Sequence, residues 1–202
     1  MKGNELVWRT LADRALQGER TWRSVGDLAY DAGVPSTTAY LALERLESNG
    51  SIDRYSRGGF AVVSIDKVLT MLCAWRNLKR DTLATTTLDA VRPLLDTARS
   101  PYALGGPDAA NMLLKGRAIA DFREHVVYLP ASVTVNELPE GDEVRVLVMD
   151  RRAMKTWNGY SSLAQTYADL FATPGWVASE FRMALRDSFI RDREWDQRGD
   201  AQ

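Results

Sequence analysis

Two short amphipathic helices are predicted near the N-terminus, separated only by Gly33-Val34-Pro35. A connection of three residues requires a tight turn between them. Gly33 can adopt the left-handed conformation of a tight turn, and Pro35 prevents the first helix from continuing. Ser24 is a suitable N-cap for that helix, which we predict from Val25 to Ala32. Ser36 caps the second helix, whose apolar residues recur at helical spacing: Ala39, Ala42, Leu43 and Leu46. The sequence therefore predicts two helices joined by a tight turn.

The segments on either side of this pair extend the pattern. Apolar residues recur at helical spacing between Asn4 and Gln17, which predicts a preceding helix. Downstream, Ser51–Tyr55 and Phe60–Val63 are predicted to be strands joined by a turn at Gly58-Gly59. Three helices followed by a hairpin with a basic tip predict a winged helix-turn-helix over residues 1–65.

The stretch from Ser24 to Val63 resembles many bacterial regulators, which follow the pattern V-x-x-L-A-x-x-x-G-V-x-x-x-T-x-x-x-x-L-x-x-L-x-x-x-G-x-I. In such a domain the third helix fits the major groove, where short hydroxyls and apolar groups contact phosphates, base edges and thymine methyls. Arginines further along this helix and on the hairpin are expected to contact phosphates or the minor groove. The predicted DNA-binding residues are Ser36, Thr37, Thr38, Tyr40, Leu41, Arg45, Arg54 and Arg57.

An alternative interpretation is that this domain docks on a protein or forms a dimer. Glu44 and Glu47 lie on the third helix, and Leu41 occupies a position where related proteins often carry a basic residue. These residues argue against tight binding by a single copy. We therefore expect a homodimer or tandem copies, bound to a double-stranded DNA operator that is an inverted repeat.

The rest of the chain predicts an α+β protein in which a small mixed α/β domain follows the winged helix. Residues 66–100 are expected to be a helical connector, with helices from Lys67 to Arg80 and from Leu88 to Ala98. Residues 101–190 form the predicted α/β domain, and the polar residues 191–202 are expected to be frayed. The predicted strands are Val126–Pro130, Val133–Leu138 and Glu143–Met149, and the predicted helices are Pro107–Leu114, Ser162–Phe171 and Trp176–Ile190.

This second half resembles the C-terminal domain of AbiEi-type antitoxins. The resemblance rests on the runs YALGGPDAANMLLKG, HVVYLP, EVRVLVMD and SSLAQTYADLFATPGWVASEFRMAL. The family's helix start corresponds to Gly106, Ala109 and Ala110, and its late helix to Tyr167, Asp169 and Leu170. The resemblance implies that the protein binds operator repeats and represses its own operon. It also implies a nucleotidyltransferase toxin as a partner. This chain is shorter than many members of the family, which leaves a stand-alone regulator as an alternative.

Composition limits the cellular setting. The net charge of −1 permits local DNA contacts without arguing for them. The sequence contains no apolar run of the roughly 20 residues that a membrane-spanning helix needs, and its N-terminus lacks a signal-peptide core. A single cysteine, Cys73, excludes an internal disulfide. We therefore expect a cytoplasmic protein without membrane partners.

No catalytic pattern in the sequence is complete. His125 is the only histidine, and Gly105-Gly106-Pro107-Asp108 lacks the lysine and hydroxyl residue of a phosphate loop. Asp142, Glu143 and Asp150 bracket one strand, which leaves a metal-dependent enzyme acting on nucleic acid as the third hypothesis, after the repressor and the antitoxin. We expect no catalytic residues, no bound metal and no cofactor.

Overall fold

The computed structural model describes residues 2–96, 101–117 and 119–193, and these residues confirm an α+β protein with two sheets. The chain divides into two units. The first, here called the N-terminal unit, contains Lys2–Trp75 and the segment that begins at Arg186. The second, called the central unit, contains Arg76–Leu185.

The N-terminal unit combines helices with a small antiparallel sheet. Its elements are α1 (Gly3–Leu16), β1 (Thr21–Trp22), α2 (Val25–Ala32), α3 (Ser36–Ser48), β2 (Ile52–Arg54), β3 (Phe60–Val62) and α4 (Ile65–Trp75). The sheet order is β1-β3-β2. The structure thus confirms the predicted helices and hairpin up to β3, and it adds β1, which pairs with β3 through Thr21 and Trp22.

The turn between α2 and α3 has the predicted chemistry. The Ser24 side chain accepts a hydrogen bond from the Asp27 N–H at 3.1 Å, which caps the start of α2. Gly33 ends α2 with φ 68° and ψ 37°, a left-handed conformation that favours glycine. Pro35 then precedes α3 in an extended conformation. This short turn fixes where α3 begins.

The core of the N-terminal unit holds α3 in place. Trp8 of α1 is fully buried, and its indole N–H donates to the Ala42 carbonyl of α3 at 3.1 Å. Trp22 and Phe60 stack at 5.5 Å between ring centroids, which joins β1 to β3. The apolar residues of α3 that the sequence places inward are all buried: Ala39, Ala42, Leu43 and Leu46.

Two predicted boundaries in this region are wrong. The helix expected from Lys67 to Arg80 ends at Trp75, and a separate short helix, α5 (Leu78–Asp81), follows. Asn77 starts this helix because its side chain accepts the Arg80 N–H at 2.9 Å. The tail expected to fray from Arg191 begins instead with a 3₁₀ turn, Arg191–Arg193. Arg193 donates to the Leu16 carbonyl at 2.7 Å, and its own carbonyl accepts from Arg20, while residues 194–202 lie outside the described residues.

The central unit is a five-stranded mixed sheet with helices. Besides α5, its elements are β4 (Thr82–Thr86), α6 (Leu88–Asp96), β5 (Ala103–Gly105), α7 (Gly106–Leu113), β6 (His125–Pro130), β7 (Val144–Met149), α8 (Ala153–Thr156), β8 (Gly159–Tyr160), α9 (Leu163–Ala172) and α10 (Trp176–Leu185). The strand order is β4-β7-β6-β5-β8, with β6 and β7 parallel at the centre. Both faces of β6 are buried, since Val126 and Tyr128 belong to one apolar cluster and Val127 and Leu129 to the other.

The structure corrects several predictions made for residues 66–190. The segment expected to be a helical connector contains β4, which pairs antiparallel with β7. The helix expected from Leu88 is α6 and is described to Asp96, so its predicted last residues lie outside the described residues. Val133–Leu138 is not a strand: the Val133 N–H donates to Pro130 and the Leu138 N–H to Val135, both as turns. The helix expected from Trp176 to Ile190 is α-helical only to Leu185 and continues as a π-helical turn, Arg186–Ile190.

A buried polar network lies inside the central unit. The Arg76 guanidinium donates to Asp169 at 2.7 Å, to Asp81 at 2.5 Å and to the Tyr128 hydroxyl at 3.0 Å. Tyr128 donates in turn to Asp169 at 2.5 Å, and Gln165 donates to the same carboxylate at 2.9 Å. The side chains of Arg76 and Asp169 are both fully buried. Burial raises the pKa of Tyr128 well above its ordinary value, so this hydroxyl remains a hydrogen-bond donor.

Replacing Asp169 is expected to damage the central unit severely. Asp169→Asn leaves the buried Arg76 without its innermost carboxylate, so the free energy of unfolding should fall by about 3–5 kcal/mol. Tyr128→Phe removes one hydroxyl and should cost about 1–3 kcal/mol. Chemical denaturation of each variant measures these changes. Asp89→Asn is the matched control, because Asp89 is exposed and its carboxylate lies 3.8 Å from Arg92. Equally small effects of the two asparagine substitutions would contradict a stabilising network.

Candidate nucleic-acid interface

The outward face of α3 carries several of the residues that the sequence predicts to contact DNA. Thr37, Leu41, Glu44 and Ser48 are exposed and recur at helical spacing on the side opposite the buried residues. Leu41 is 56% exposed, although it is a large apolar side chain. We call these four residues the α3 ridge. They combine short hydroxyls, an apolar group and one carboxylate.

The remaining predicted residues of α3 lie at its N-terminus or on its flanks. Ser36 is exposed at the first position of the helix. Thr38 is half-buried, and its methyl group lies so close to Gly3 that a Cβ there would come within 2.6 Å. Thr38 therefore packs on the first turn of α1, whereas the sequence pattern predicted an outward side chain. Tyr40 is 49% exposed on the other flank, towards the hairpin.

An arginine of the hairpin links Tyr40 to one of the acidic residues of α3. The Arg54 guanidinium carbon lies 5.3 Å from the Tyr40 ring centroid, and its Nε donates to Glu47 at 2.7 Å. This pair is partly exposed and adds little to stability. Its effect is electrostatic, because it neutralises Glu47 and holds Arg54 against α3.

The hairpin tip is a rigid turn that presents Arg57. The Tyr55 N–H donates to the Gly59 carbonyl at 3.1 Å, and the Gly58 N–H donates to Tyr55 at 3.0 Å. Gly58 and Gly59 have φ values of 91° and 83°, which side chains rarely adopt. A Cβ on Gly59 would also lie 2.5 Å from the Trp22 carbonyl oxygen of β1. The tip is therefore packed against β1, and the exposed Arg57 extends from it.

Arg45, the last predicted residue, lies on the flank of α3 away from the hairpin. Its guanidinium carbon is 4.5 Å from the ring centroid of Trp75 in α4. Lys2 approaches the same ring at 5.9 Å. The sequence pattern had placed Trp75 on the apolar side of its helix, and it gave no signal for Lys2.

Tyr30 of α2 is a further surface residue that sequence reasoning missed. It is 78% exposed, the most exposed large apolar or aromatic side chain among the described residues. Tyrosine hydroxyls are frequent donors to phosphate oxygens in protein–DNA complexes. The sequence did contain a signal for the exposure of Tyr30, because Tyr30 lies three residues after Asp27 and therefore on the exposed side of α2.

Two of the three carboxylates that suggested metal chemistry accept hydrogen bonds from backbone N–H groups. Glu143 accepts the Leu88 N–H at 2.8 Å at the start of α6, and Asp150 accepts the N–H groups of Arg152 and Ala153 at 3.0 Å each. Within residues 2–96, 101–117 and 119–193, no three His, Cys, Asp or Glu side chains are grouped so that they could hold a metal ion.

His125 lies beside a shallow pocket of about 180 Å³, lined also by Asp142 and Arg145. Its Nδ1 lies 3.0 Å from Asp108, whose pKa is raised because burial outweighs the hydrogen bond and charge of His125. No serine or cysteine lines this pocket as described, while two threonines, Thr85 and Thr173, do.

Comparison with known proteins adds no relative. The chain matches no protein-family model, no curated protein and no solved structure. The similarity to AbiEi-type antitoxins therefore stays a prediction. Among the described helices, none is both long and apolar enough to cross a membrane.

Substitution of Gly59 is expected to be more harmful than substitution of its neighbour. Gly58→Ala places a side chain at positive φ with open space around it and should lower the free energy of unfolding by about 1–2 kcal/mol. Gly59→Ala adds a clash with the Trp22 carbonyl, so we expect a loss of about 3 kcal/mol. Chemical denaturation followed by tryptophan fluorescence compares the two. Equal losses would mean that the tip is not held against β1.

Proposed function

We propose that the N-terminal unit is a winged helix-turn-helix that binds double-stranded DNA, and that the protein is a sequence-specific transcriptional regulator. One observation carries this proposal: the α3 ridge is exposed and is flanked by arginines on α3 and on the hairpin, although the ridge itself carries no cation. A helix of this kind enters the major groove, and the hairpin serves as the wing. The order of the elements and the left-handed Gly33 turn are typical of this fold.

The α3 ridge supplies the base contacts in this proposal. Thr37 lies near the N-terminus of α3 and is suited to a phosphate or base edge, while Leu41 is suited to a thymine methyl group. Glu44 forms no ion pair within the described residues, and its carboxylate is suited to accept from the amino group of cytosine. Tyr40 extends the contact towards the wing.

The wing supplies phosphate contacts in this proposal. Arg57 extends from the rigid hairpin tip, and Arg54 is held beside α3 by Glu47 and Tyr40. Phosphate contacts set the register of a protein on the duplex and provide much of the affinity. Because acidic and basic residues balance in the whole chain, this local placement of arginines must create the attraction.

The proposal extends to the whole chain as a cytoplasmic, non-enzymatic repressor of its own operon. Two copies on an inverted repeat would double the number of phosphate contacts, which a single unit with few arginines needs.

A second candidate function is an antitoxin that neutralises a nucleotidyltransferase-like toxin through the central unit. This function is favoured by two exposed aromatic side chains of the central unit, Phe171 (52%) and Trp176 (69%). Co-purification with a nucleotidyltransferase encoded beside this gene tests it, and failure to bind that protein contradicts it.

The regulator proposal is tested by binding to duplexes selected from a random-sequence pool. Thr37→Ala combined with Leu41→Ala should weaken binding to the selected duplex by about 10-fold or more, since each base contact contributes about 1–3 kcal/mol. Fluorescence anisotropy against a scrambled duplex measures this loss. Thr70→Ala on the exposed side of α4 is the matched control and should leave binding unchanged. Failure to select any duplex, or unchanged affinity of the double variant, would contradict the proposal.

A further inference from the structure

Trp75 carries two cations from two different elements of the N-terminal unit. Arg45 of α3 lies 4.5 Å from its ring centroid, and Lys2, immediately before α1, lies 5.9 Å from it. Trp75 is itself held by an edge contact to the buried Trp8 at 5.6 Å. The indole thus forms a fixed platform, and both cations lie close to one ring.

Neither cation is neutralised. No carboxylate in the described part of the chain forms an ion pair with Lys2 or Arg45, whereas Arg54 is paired with Glu47 and Arg14 with Glu19. Like charges repel each other, and a cation–π contact at an exposed site stabilises each cation only weakly. A phosphate oxygen that pairs with either side chain would neutralise its charge. Stacking leaves the N–H groups at the edge of the guanidinium available for oxygen acceptors.

The position of this pair relative to the α3 ridge is defined by α3 itself. Arg45 lies on the same flank as Thr38, which packs on Gly3, so Lys2 also belongs to this side. Tyr40 and Glu47 lie on the opposite flank, beside the hairpin. Cations therefore lie on both sides of the ridge. A duplex whose major groove receives a helix presents a phosphate backbone on each side of that groove.

We infer that Lys2, Arg45 and Trp75 form a second phosphate-binding contact, which holds the backbone on the side of the major groove away from the wing. This inference rests on the proposed function. In it Lys2 and Arg45 contact phosphate oxygens, and Trp75 is a positioning residue that orients them.

The salt dependence of DNA binding tests this contact, with the selected duplex as the probe. Each lost phosphate contact lowers the slope of log affinity against log salt by about 0.9. Lys2→Ala and Arg45→Ala should each lower the slope by about that amount, and the double variant by about twice as much. Arg57→Ala on the wing should give a similar single decrement. Arg123→Ala, an exposed arginine of the central unit, is the control and should leave the slope unchanged.

Variants of Trp75 separate positioning from stability. Trp75→Leu should lower affinity several-fold and reduce the salt slope, because it removes the ring that orients both cations. Trp75→Phe keeps a ring and should restore most of both quantities, while unfolding of each variant is measured in parallel. If Arg57→Ala lowers the slope but Lys2→Ala and Arg45→Ala do not, the second contact is absent and the wing alone binds phosphate. If the wild-type protein selects no duplex, the proposed function fails together with this contact.

Discussion

The tight turn at Gly33 determines most of what the N-terminal unit presents to its surroundings. Its left-handed conformation ends α2, and its N–H donates to carbonyls in the last turn of that helix. Pro35 then forces α3 to begin at Ser36, which fixes the rotation of α3 about its own axis once Leu43 and Leu46 are buried. The identity of the α3 ridge is a direct consequence. A rotation of α3 by one residue, about 100°, would move the ridge aside and bring one flank of the helix to its position, either Thr38 and Arg45 or Tyr40 and Glu47.

If the N-terminal unit binds DNA as we propose, the charges around α3 favour sequence-selective binding over unselective attraction. A surface built for unselective binding would place cations on the ridge itself, because phosphate attraction does not depend on sequence. Here the ridge carries Glu44 and the cations lie on its flanks, where they are restrained by aromatic rings: Arg54 by Tyr40, and Arg45 by Trp75. A carboxylate in the major groove is repelled by the DNA phosphates, and this cost is offset only where a base offers a hydrogen-bond donor. Restrained arginines also lose less side-chain entropy on binding.

Local signals explain which parts of the fold the sequence predicts. Caps, turns and helical spacing identify α2, α3 and the hairpin, since each depends on residues close together in the chain. The strands β1, β4, β5 and β8 escape prediction because they are short or exist only through pairing with distant strands. The strand predicted at Val133–Leu138 is wrong for the opposite reason. Val135 is buried although it lies in a turn, so the apolar pattern of this segment reflects burial and not pairing with another strand. At the interface, Lys2 and the packing of Thr38 depend on the contact between α1 and α3, which no local pattern encodes.

The network around Arg76 is a structural device, even though its residue types resemble those of an active site. Its arginine, tyrosine and carboxylate are buried, and Asp169 accepts from Arg76, Tyr128 and Gln165 together. The pKa of Arg76 is raised because the nearby tyrosine and carboxylate outweigh the cost of its burial, and burial raises the pKa of Tyr128. Both residues therefore keep their protons throughout the neutral range, which prevents proton transfer. The network joins α9 to β6, because the hydroxyl of Tyr128 in β6 donates to Asp169 in α9.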